Sequence, residues 1–297
     1  MKTCLFLISL DSLFKSGKMS LFDAVDFAAD CGFGAVEPYP VLELEKPDAA
    51  FAEKLKRYCD AKGLAIPCFS MGVRLETPEY ADSVSRLKRY AEMAGRLDSG
   101  FLHHTLAPTL QRDAIAMPDA EAILPQIAGA CRDVAAYAKG LGVECLYEEQ
   151  GYVFNGISDF GKLLSAIRGG SIVLDTGNIL FADEPIAPFA GRYANRAAHV
   201  HVKDYIVKSG NGQYPGRDWY LSRGGNYIRG TVIGHGVADF VQTFRVLMLA
   251  GYDGYYSLEF DGPEDPLYAA AAGLENMRYY FDQAKQQMDI FKAKDLV

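Results

Sequence analysis

The chain has 297 residues, 49% hydrophobic and 23% charged, an ordinary globular composition with ample length for a large core. Its formal net charge of −8 disfavours a partner that offers a phosphate backbone, and no apolar run approaches the ~20 residues that span a bilayer. The six cysteines (Cys4, Cys31, Cys59, Cys68, Cys131 and Cys145) form no C-x-x-C pair, so they read as reduced core residues of a cytoplasmic protein rather than a disulfide frame or zinc knuckle.

Cys4 to Leu10 is apolar but short, is followed at once by Asp11 and lacks a small-residue cleavage pattern. A first buried strand is therefore expected rather than a signal peptide. Ser20 and Asp23 make a capping box for a helix whose buried stripe is Leu21, Val25 and Ala28, with Gly32 as its stop. Residues 34–39 read as a second strand carrying Glu37, 48–62 as an amphipathic helix closed by Gly63, and 64–70 as a third strand. Thr77-Pro78 predicts a cap with proline in the first turn of a helix running to about Leu97. Strand four covers 100–105, with His103 and His104; a helix over 119–139 leads to strand five, 143–148. Ser158 is expected to cap a helix ending at Gly169-Gly170, followed by strand six, Ser171 to Asp175. A weaker helix near 186–195 precedes strand seven, 197–204.

The segment 205–236 breaks this rhythm. It is long, rich in Gly and Tyr, and holds Arg217, Arg223 and Arg229, which predicts a functional loop, a lid. Phe240, Phe244 and Leu247 then mark a helix face, Gly251 ends it, and 255–259 is strand eight. The last helix starts at about 267, with Leu274, Met277, Phe281 and Met288 on its apolar side.

Eight strands alternating with eight helices argue for parallel pairing and a single-domain (β/α)8 TIM barrel over 1–297, with one long loop after strand seven at about 205–236. An open doubly wound sheet is the alternative, but no G-x-G-x-x-G lies between a strand and a helix.

Strand seven is the most informative stretch. Val200 and Val202 alternate with His199, His201 and Lys203, so one face is apolar and the other carries two imidazoles and an ammonium. A polar row on an internal strand is costly unless it faces a site. Glu148, Asp175 and Glu259 end strands five, six and eight, and with His201 they make a convergent quartet at the mouth of a barrel. Three carboxylates and an imidazole suit Mn²⁺, Mg²⁺ or Co²⁺, with Zn²⁺ also within their range. Periodicity leaves Glu148 and Glu149 unresolved as the strand-five ligand, and His199 reads as a residue behind the site.

Gly142-Val-Glu-Cys-Leu-Tyr-Glu148, Leu174-Asp-Thr-Gly-Asn178, His199-Val-His-Val-Lys-Asp204, Gly234-His-Gly236 and Tyr256-Ser-Leu-Glu259 together resemble the xylose-isomerase-like TIM-barrel superfamily of sugar isomerases and epimerases, over almost the whole chain. The resemblance implies that Glu148, rather than Glu149, binds a divalent metal with Asp175, His201 and Glu259. It also implies isomerisation or epimerisation of a small sugar through a metal-stabilised enediolate, with Glu148 and Glu259 exchanging the proton. Family ketose epimerases often carry His where this chain has Asn178, and a charged residue where it has His235; Asn178 can still orient a hydroxyl.

Further candidates for substrate contact are His104, favoured over His103 because adjacent strand residues face opposite ways, together with Glu37, Lys203 and Arg229. Arg217, Arg223 and Arg229 are suited to clamping a phosphate, and Trp219 and Tyr39 to stacking on a sugar. The runner-up reading is a metal-dependent lyase of the keto-inositol dehydratase kind. An apurinic-endonuclease-like hydrolase would need more than the five histidines present and a basic groove, and a non-catalytic sugar-binding protein would keep only the metal site. The expected partner is a small sugar, with neither nucleic acid nor membrane, and family relatives are often homo-oligomers.

Overall fold

Short apolar strands bounded by glycines alternate with one-sided helices, and the two can bury their apolar faces together only by closing a barrel inside a ring of helices. The computed structural model describes residues 1–108 and 119–293. Its strands are β1 (Lys2–Phe6), β2 (Ala35–Glu37), β3 (Cys68–Met71), β4 (Phe101–His104), β5 (Glu144–Tyr147), β6 (Ser171–Asp175) and β7 (Ala197–Val202). A separate small sheet follows, of β8 (Asp204–Lys208), β9 (Tyr220–Leu221) and β10 (Tyr227–Thr231), and then the eighth barrel strand, β11 (Tyr255–Leu258). The eight barrel strands are parallel, in the order β2-β1-β11-β7-β6-β5-β4-β3. The seam between β2 and β3 is closed by backbone bonds, Val36 N to Ala65 O at 2.9 Å and Ser70 N to Pro38 O at 3.0 Å.

The helices are α1 (Asp11–Lys15), α2 (Leu21–Cys31), α3 (Ala49–Ala61), α4 (Tyr80–Arg96), α5 (Ala120–Lys139), α6 (Ile157–Ile167), α7 (Ile186–Tyr193), α8 (Phe240–Leu249) and α9 (Pro266–Ala293). At the start of α2 the Ser20–Asp23 capping box is present, and Gly32 ends it in the left-handed region at φ 84°. Two predicted caps are displaced. Thr77-Pro78 lies before α4, in a turn where Tyr80 N bonds Thr77 O, and the helix starts at Tyr80. Ser158 lies inside α6; the first amide of that helix, Ile157 N, is met instead by the carboxylate of Glu184 at 2.8 Å. Sequence-local capping lost there to an acceptor brought in from the next unit.

Inside the barrel the side chains form layers, as closed sheets of this size require. Cys68, Leu146 and Val173, with Phe101 and Ala198, make an apolar floor. Above it, the inward positions of the same strands become polar, and they end in charged residues at the C-terminal mouth. All six cysteines are free thiols, five of them buried. Among the described residues no helix is long and apolar enough to cross a membrane.

The segment 205–236, expected as a long loop, carries short strands of its own. It folds as the antiparallel sheet β8-β10-β9, with β8 starting directly after β7. Tyr205 and Ile228 on one face pack with Tyr152 and Phe181 over the barrel mouth. Asp204, 1% exposed, anchors this sheet: its carboxylate accepts from the amides of Tyr205 (2.9 Å), Gly234 (2.9 Å), Gly236 (2.8 Å) and Ala238 (3.1 Å). The Gly-His-Gly motif follows from that grip. A Cβ on Gly236 would lie 2.2 Å from Asp204 Oδ1, and Gly234 sits at φ 91°, while His235 points to solvent and is not part of the site. Removing a buried acceptor strands its donors at about 1–3 kcal/mol each. Asp204→Ala is therefore expected to lower the unfolding free energy by roughly 2–4 kcal/mol in urea titration; a loss below about 1 kcal/mol would contradict the anchoring role.

Candidate metal centre and substrate cavity

The parallel ladder puts partnered residues side by side on one face, and the pairings Asp175–His201 and Ser257–His201 therefore align three inward positions. Glu148 and Glu259 follow β5 and β11 directly and continue the same inward rows. Glu148, Asp175, His201 and Glu259 each offer one ligand atom, all within 4.8 Å of one another, and all four are buried. His201 Nδ1 lies 2.7 Å from Glu148 Oε1 and 3.1 Å from Glu259 Oε2.

The Asp-Thr-Gly-Asn motif after β6 has a separate structural reason for each member. Asp175 Oδ1 accepts from the amides of Gly177 (2.6 Å) and Asn178 (2.7 Å), which fixes the carboxylate and leaves Oδ2 without a hydrogen-bond partner. Thr176 stitches β6 to β7: its hydroxyl donates to Lys203 O at 2.7 Å and accepts from Lys203 N at 2.8 Å. At Gly177 a Cβ would meet the Tyr205 ring at 2.7 Å. Asn178, 2% exposed, receives Lys203 Nζ at 3.4 Å on its carbonyl, and its Nδ2 has no partner. Lys203 Nζ also lies 2.5 Å from Glu259 Oε1 and 3.6 Å from Asp175 Oδ2.

Glu37 sits beneath this quartet, not beside a substrate, which corrects its expected role. It is fully buried and accepts from Ser70 Oγ, from Ser257 Oγ at 2.5 Å, and faces His199 Nε2 at 2.8 Å and His201 Nε2 at 3.0 Å. His201 is thus held from below through Nε2, which turns Nδ1 to the other carboxylates. His199 stands behind the site, as its reading from sequence has it.

The two strand-four histidines are exchanged relative to expectation. In the ladder His103 pairs with Ser70 and Leu146, so it points inward, and His104 points outward. His103 bonds Ser70 Oγ at 2.9 Å, sits 3.6 Å from Glu148 Oε2 and meets the His201 ring edge-on. His104 bonds Thr105 O and packs against Tyr147, away from the site. Burial pushes both imidazoles towards neutrality, His104 to about 4, with the charge of His201 adding to the effect on His103.

The cluster holds more carboxylates than cations. Four carboxylates (Glu37, Glu148, Asp175 and Glu259) surround two cations, His201 and Lys203. Burial opposes charge on His201, but Glu37 and Glu148 outweigh it and hold its pKa well above the ordinary value. Burial likewise opposes ionisation of Glu259, yet Lys203 and His201 pull it down to about 2. For Glu148 burial wins over His201 and lifts it to about 7. A divalent cation bound by these residues would replace protons there, because bound ligands must be deprotonated. The orphaned Asp175 Oδ2 fits that reading. The donors are hard to borderline, and the nearest thiol, Cys68, belongs to the deeper group around Glu37. Glu149, also fully buried, has neither carboxylate oxygen bonded, and burial raises its pKa; it is Glu148, not Glu149, that lies in the group of four.

Beside the quartet opens a cavity of about 350 Å³, lined by Lys203, Asn178, Glu259, Gln150 and Tyr205 on the barrel side and by Asp11, Asp261 and Glu264 on the other. The last three and Gln150 escaped the reading of the sequence; Asp261 and Glu264 follow Glu259 so closely in the chain that their place at the mouth was the available signal. Arg229 does not reach this cavity. It pairs with Ile206 on the face of the small sheet opposite Ile228, stacked over Trp219, whose other cation is Lys208. Tyr39 does not line the cavity itself; it stands behind the wall residue Asp11, to which it donates, and packs on Phe6.

Glu37→Gln is expected to weaken Mn²⁺ binding about 10–100-fold, the usual effect of losing a partner that orients a ligand. Calorimetric titration of the apo protein checks this; unchanged affinity would remove Glu37 from the assembly of the site.

Comparison with known proteins agrees with the fold. Residues 25–280 match the sequence model of the xylose isomerase-like TIM barrel family. An inosose dehydratase of Geobacillus thermodenitrificans is 33% identical over 101 residues, 33% of this chain and 32% of that protein. An inosose dehydratase of Clostridium perfringens is 29% identical over 141 residues, 46% of each chain, so the match spans less than half the length of these curated relatives. Among solved structures, an L-ribulose 3-epimerase superposes with a TM-score of 0.73 at 14% identity, over 97% of both chains. With the barrel, the ordered site at its mouth and a match over most of its length, the chain belongs to the xylose isomerase-like TIM barrel family.

Proposed function

We propose that the protein is a divalent-metal-dependent enzyme that moves a proton beside the carbonyl of a small sugar or sugar derivative, as an isomerase or epimerase. The observation that carries this reading is the convergence of Glu148, Asp175, His201 and Glu259 to within 4.8 Å at the mouth of the barrel. These four would hold the ion, with Mn²⁺, Mg²⁺ or Co²⁺ suited to the donor set. When bound, the ion supplies Lewis acidity that makes a proton next to a carbonyl removable.

The protein's own groups supply the rest. Glu148 and Glu259 stand on different strands, on either side of His201 Nδ1, so one carboxylate takes the proton and the other returns one. Lys203, bonded to Glu259 and Asn178, places a donor at the cavity wall that meets a substrate oxygen and balances charge as protons move. Asn178 Nδ2 is free to donate to a hydroxyl. His103 and Glu37 keep His201 oriented from within the barrel. Tyr205 and the small sheet cover the mouth and exclude water.

A second reading, dehydration of a keto-polyol, is favoured by the curated relatives, which are inosose dehydratases. It starts with the same proton abstraction and ends with loss of a hydroxyl.

Proton NMR in D₂O with Mn²⁺-loaded protein and a panel of ketoses and inososes separates the two, since epimerisation and isomerisation conserve mass whereas dehydration releases water. Glu148→Gln and Glu259→Gln, each verified to retain metal, are expected to lose deuterium incorporation by about 10²–10⁴-fold. Near-normal turnover in both would refute the acid–base roles.

A further inference from the structure

A second cavity, of about 560 Å³, opens at the other end of the barrel from the quartet. It lies among the second half of α5, the start of β5 and the turn between α6 and β6, whereas Glu148 and Asp175 stand where β5 and β6 end. Its volume falls within the roughly 300–1,000 Å³ usual for small-ligand sites. No step of the chemistry proposed above uses it.

The charge of this cavity runs against that of the chain. Arg132, Lys139 and Arg168 line it with one carboxylate, Glu144, in a protein of formal net charge −8. The side chains of Lys139 and Arg168 make no hydrogen bond, ion pair or ring contact with any described residue. Arg132 spends one of its five donors, Nη1 donating to Ala166 O at 2.6 Å, which holds the guanidinium at the end of α6. The turn that completes the cavity is built for it. Arg168, Gly169 and Gly170 all have positive φ, at 69°, 107° and 114°, and only glycine takes the last two at little cost. Arg196 Nη2 donates to Gly170 O at 2.9 Å and fixes the turn. A Cβ on Gly170 would fall 2.8 Å from Tyr147 Cε2, so a side chain there would displace the ring. With Val143 and Ile167, that ring forms an apolar floor beneath the cations.

We propose that this cavity binds a phosphate monoester with a flat, apolar body, of the nucleoside monophosphate kind, as a ligand distinct from the substrate of the quartet. Guanidinium forks meet phosphate oxygens two at a time, and the lysine adds a point charge. Three cations against one carboxylate leave two positive charges for a phosphate dianion to neutralise. The floor accepts an aromatic or apolar body and offers nothing to a row of hydroxyls. The arginines of the 205–236 segment do not compete for such a ligand: Arg223 donates to Asn155 O at 2.9 Å, Arg229 stacks on Trp219, and Arg217 is exposed and lines neither cavity.

Calorimetry on the full chain, with and without Mn²⁺, tests this with AMP, adenosine, D-glucose 6-phosphate and inorganic phosphate. AMP is expected to bind about tenfold more tightly than each of the other three, in both conditions. Lys139→Gln and Arg168→Gln, changes at exposed side chains without other partners, are each expected to weaken AMP about fivefold and to leave the affinity for Mn²⁺ unchanged. No binding of AMP, any other probe binding as tightly as AMP, or variants that bind AMP like the parent would each overturn the proposal. Binding that requires Mn²⁺ would overturn it too, because the phosphate would then sit on the ion at the quartet. The reaction proposed above stands or falls separately, since it is read at the opposite end of the barrel.

Discussion

One imidazole clamped between carboxylates organises the centre of this barrel. His201 meets Glu37 through Nε2 and Glu148 and Glu259 through Nδ1, with Phe6 stacked on its ring at 5.0 Å. Burying so many charges is costly unless each is paired and hydrogen-bonded. Glu37 meets that requirement with two serine hydroxyls and two histidines, while His199 Nδ1 and His103 Nε2 in the same layer have no hydrogen-bond partner. In the layer above it Asp175 keeps an oxygen without a hydrogen-bond partner, and burial pushes the pKa of Glu148 up. The upper layer gathers four candidate ligand atoms within 4.8 Å of one another, the lower one two groups of three around Glu37.

The small sheet between β7 and β11 extends the same logic outward. Asp204 ties its first strand to the loop before α8 through three backbone amides, those of Gly234, Gly236 and Ala238, so the sheet is fixed to the barrel at the point where β7 ends. Tyr205, next along, closes over Gly177 and reaches Asp261, while Thr231 on β10 reaches Glu264. Covering the mouth and orienting Asp261 and Glu264 are thus done by one element. Its packing against the 261–264 turn depends on Gly230 and Gly262, which couples the backbone of the sheet to the positions of the carboxylates.

Much of this was legible beforehand. Strand six was predicted at its observed limits, Ser171 to Asp175, because an apolar run lies between a glycine pair and a turn motif. The quartet was legible because four successive strands each end in an ionisable residue, a pattern that needs no knowledge of contacts. Two caps were not, since Glu184 displaced Ser158 from a distance of many residues. The segment 205–236 reads as a loop because its strands are short, polar on one side and interrupted by glycines, and because their pairing is antiparallel among themselves rather than with the barrel.

Composition, periodicity and the placement of strand-end charges were enough to specify a parallel barrel and to bring Asp175, His201, Glu259 and one of Glu148 and Glu149 to its mouth; the family resemblance, not periodicity, chose Glu148. They could not say which of His103 and His104 enters it, how deep Glu37 lies, or that Arg229 faces away. Alternation assigns residues to two faces, but which face is the inside is settled by the register between strands, and a shift of one residue reverses every assignment. That register is set by the packing of all eight strands at once, so only the folded barrel could decide it.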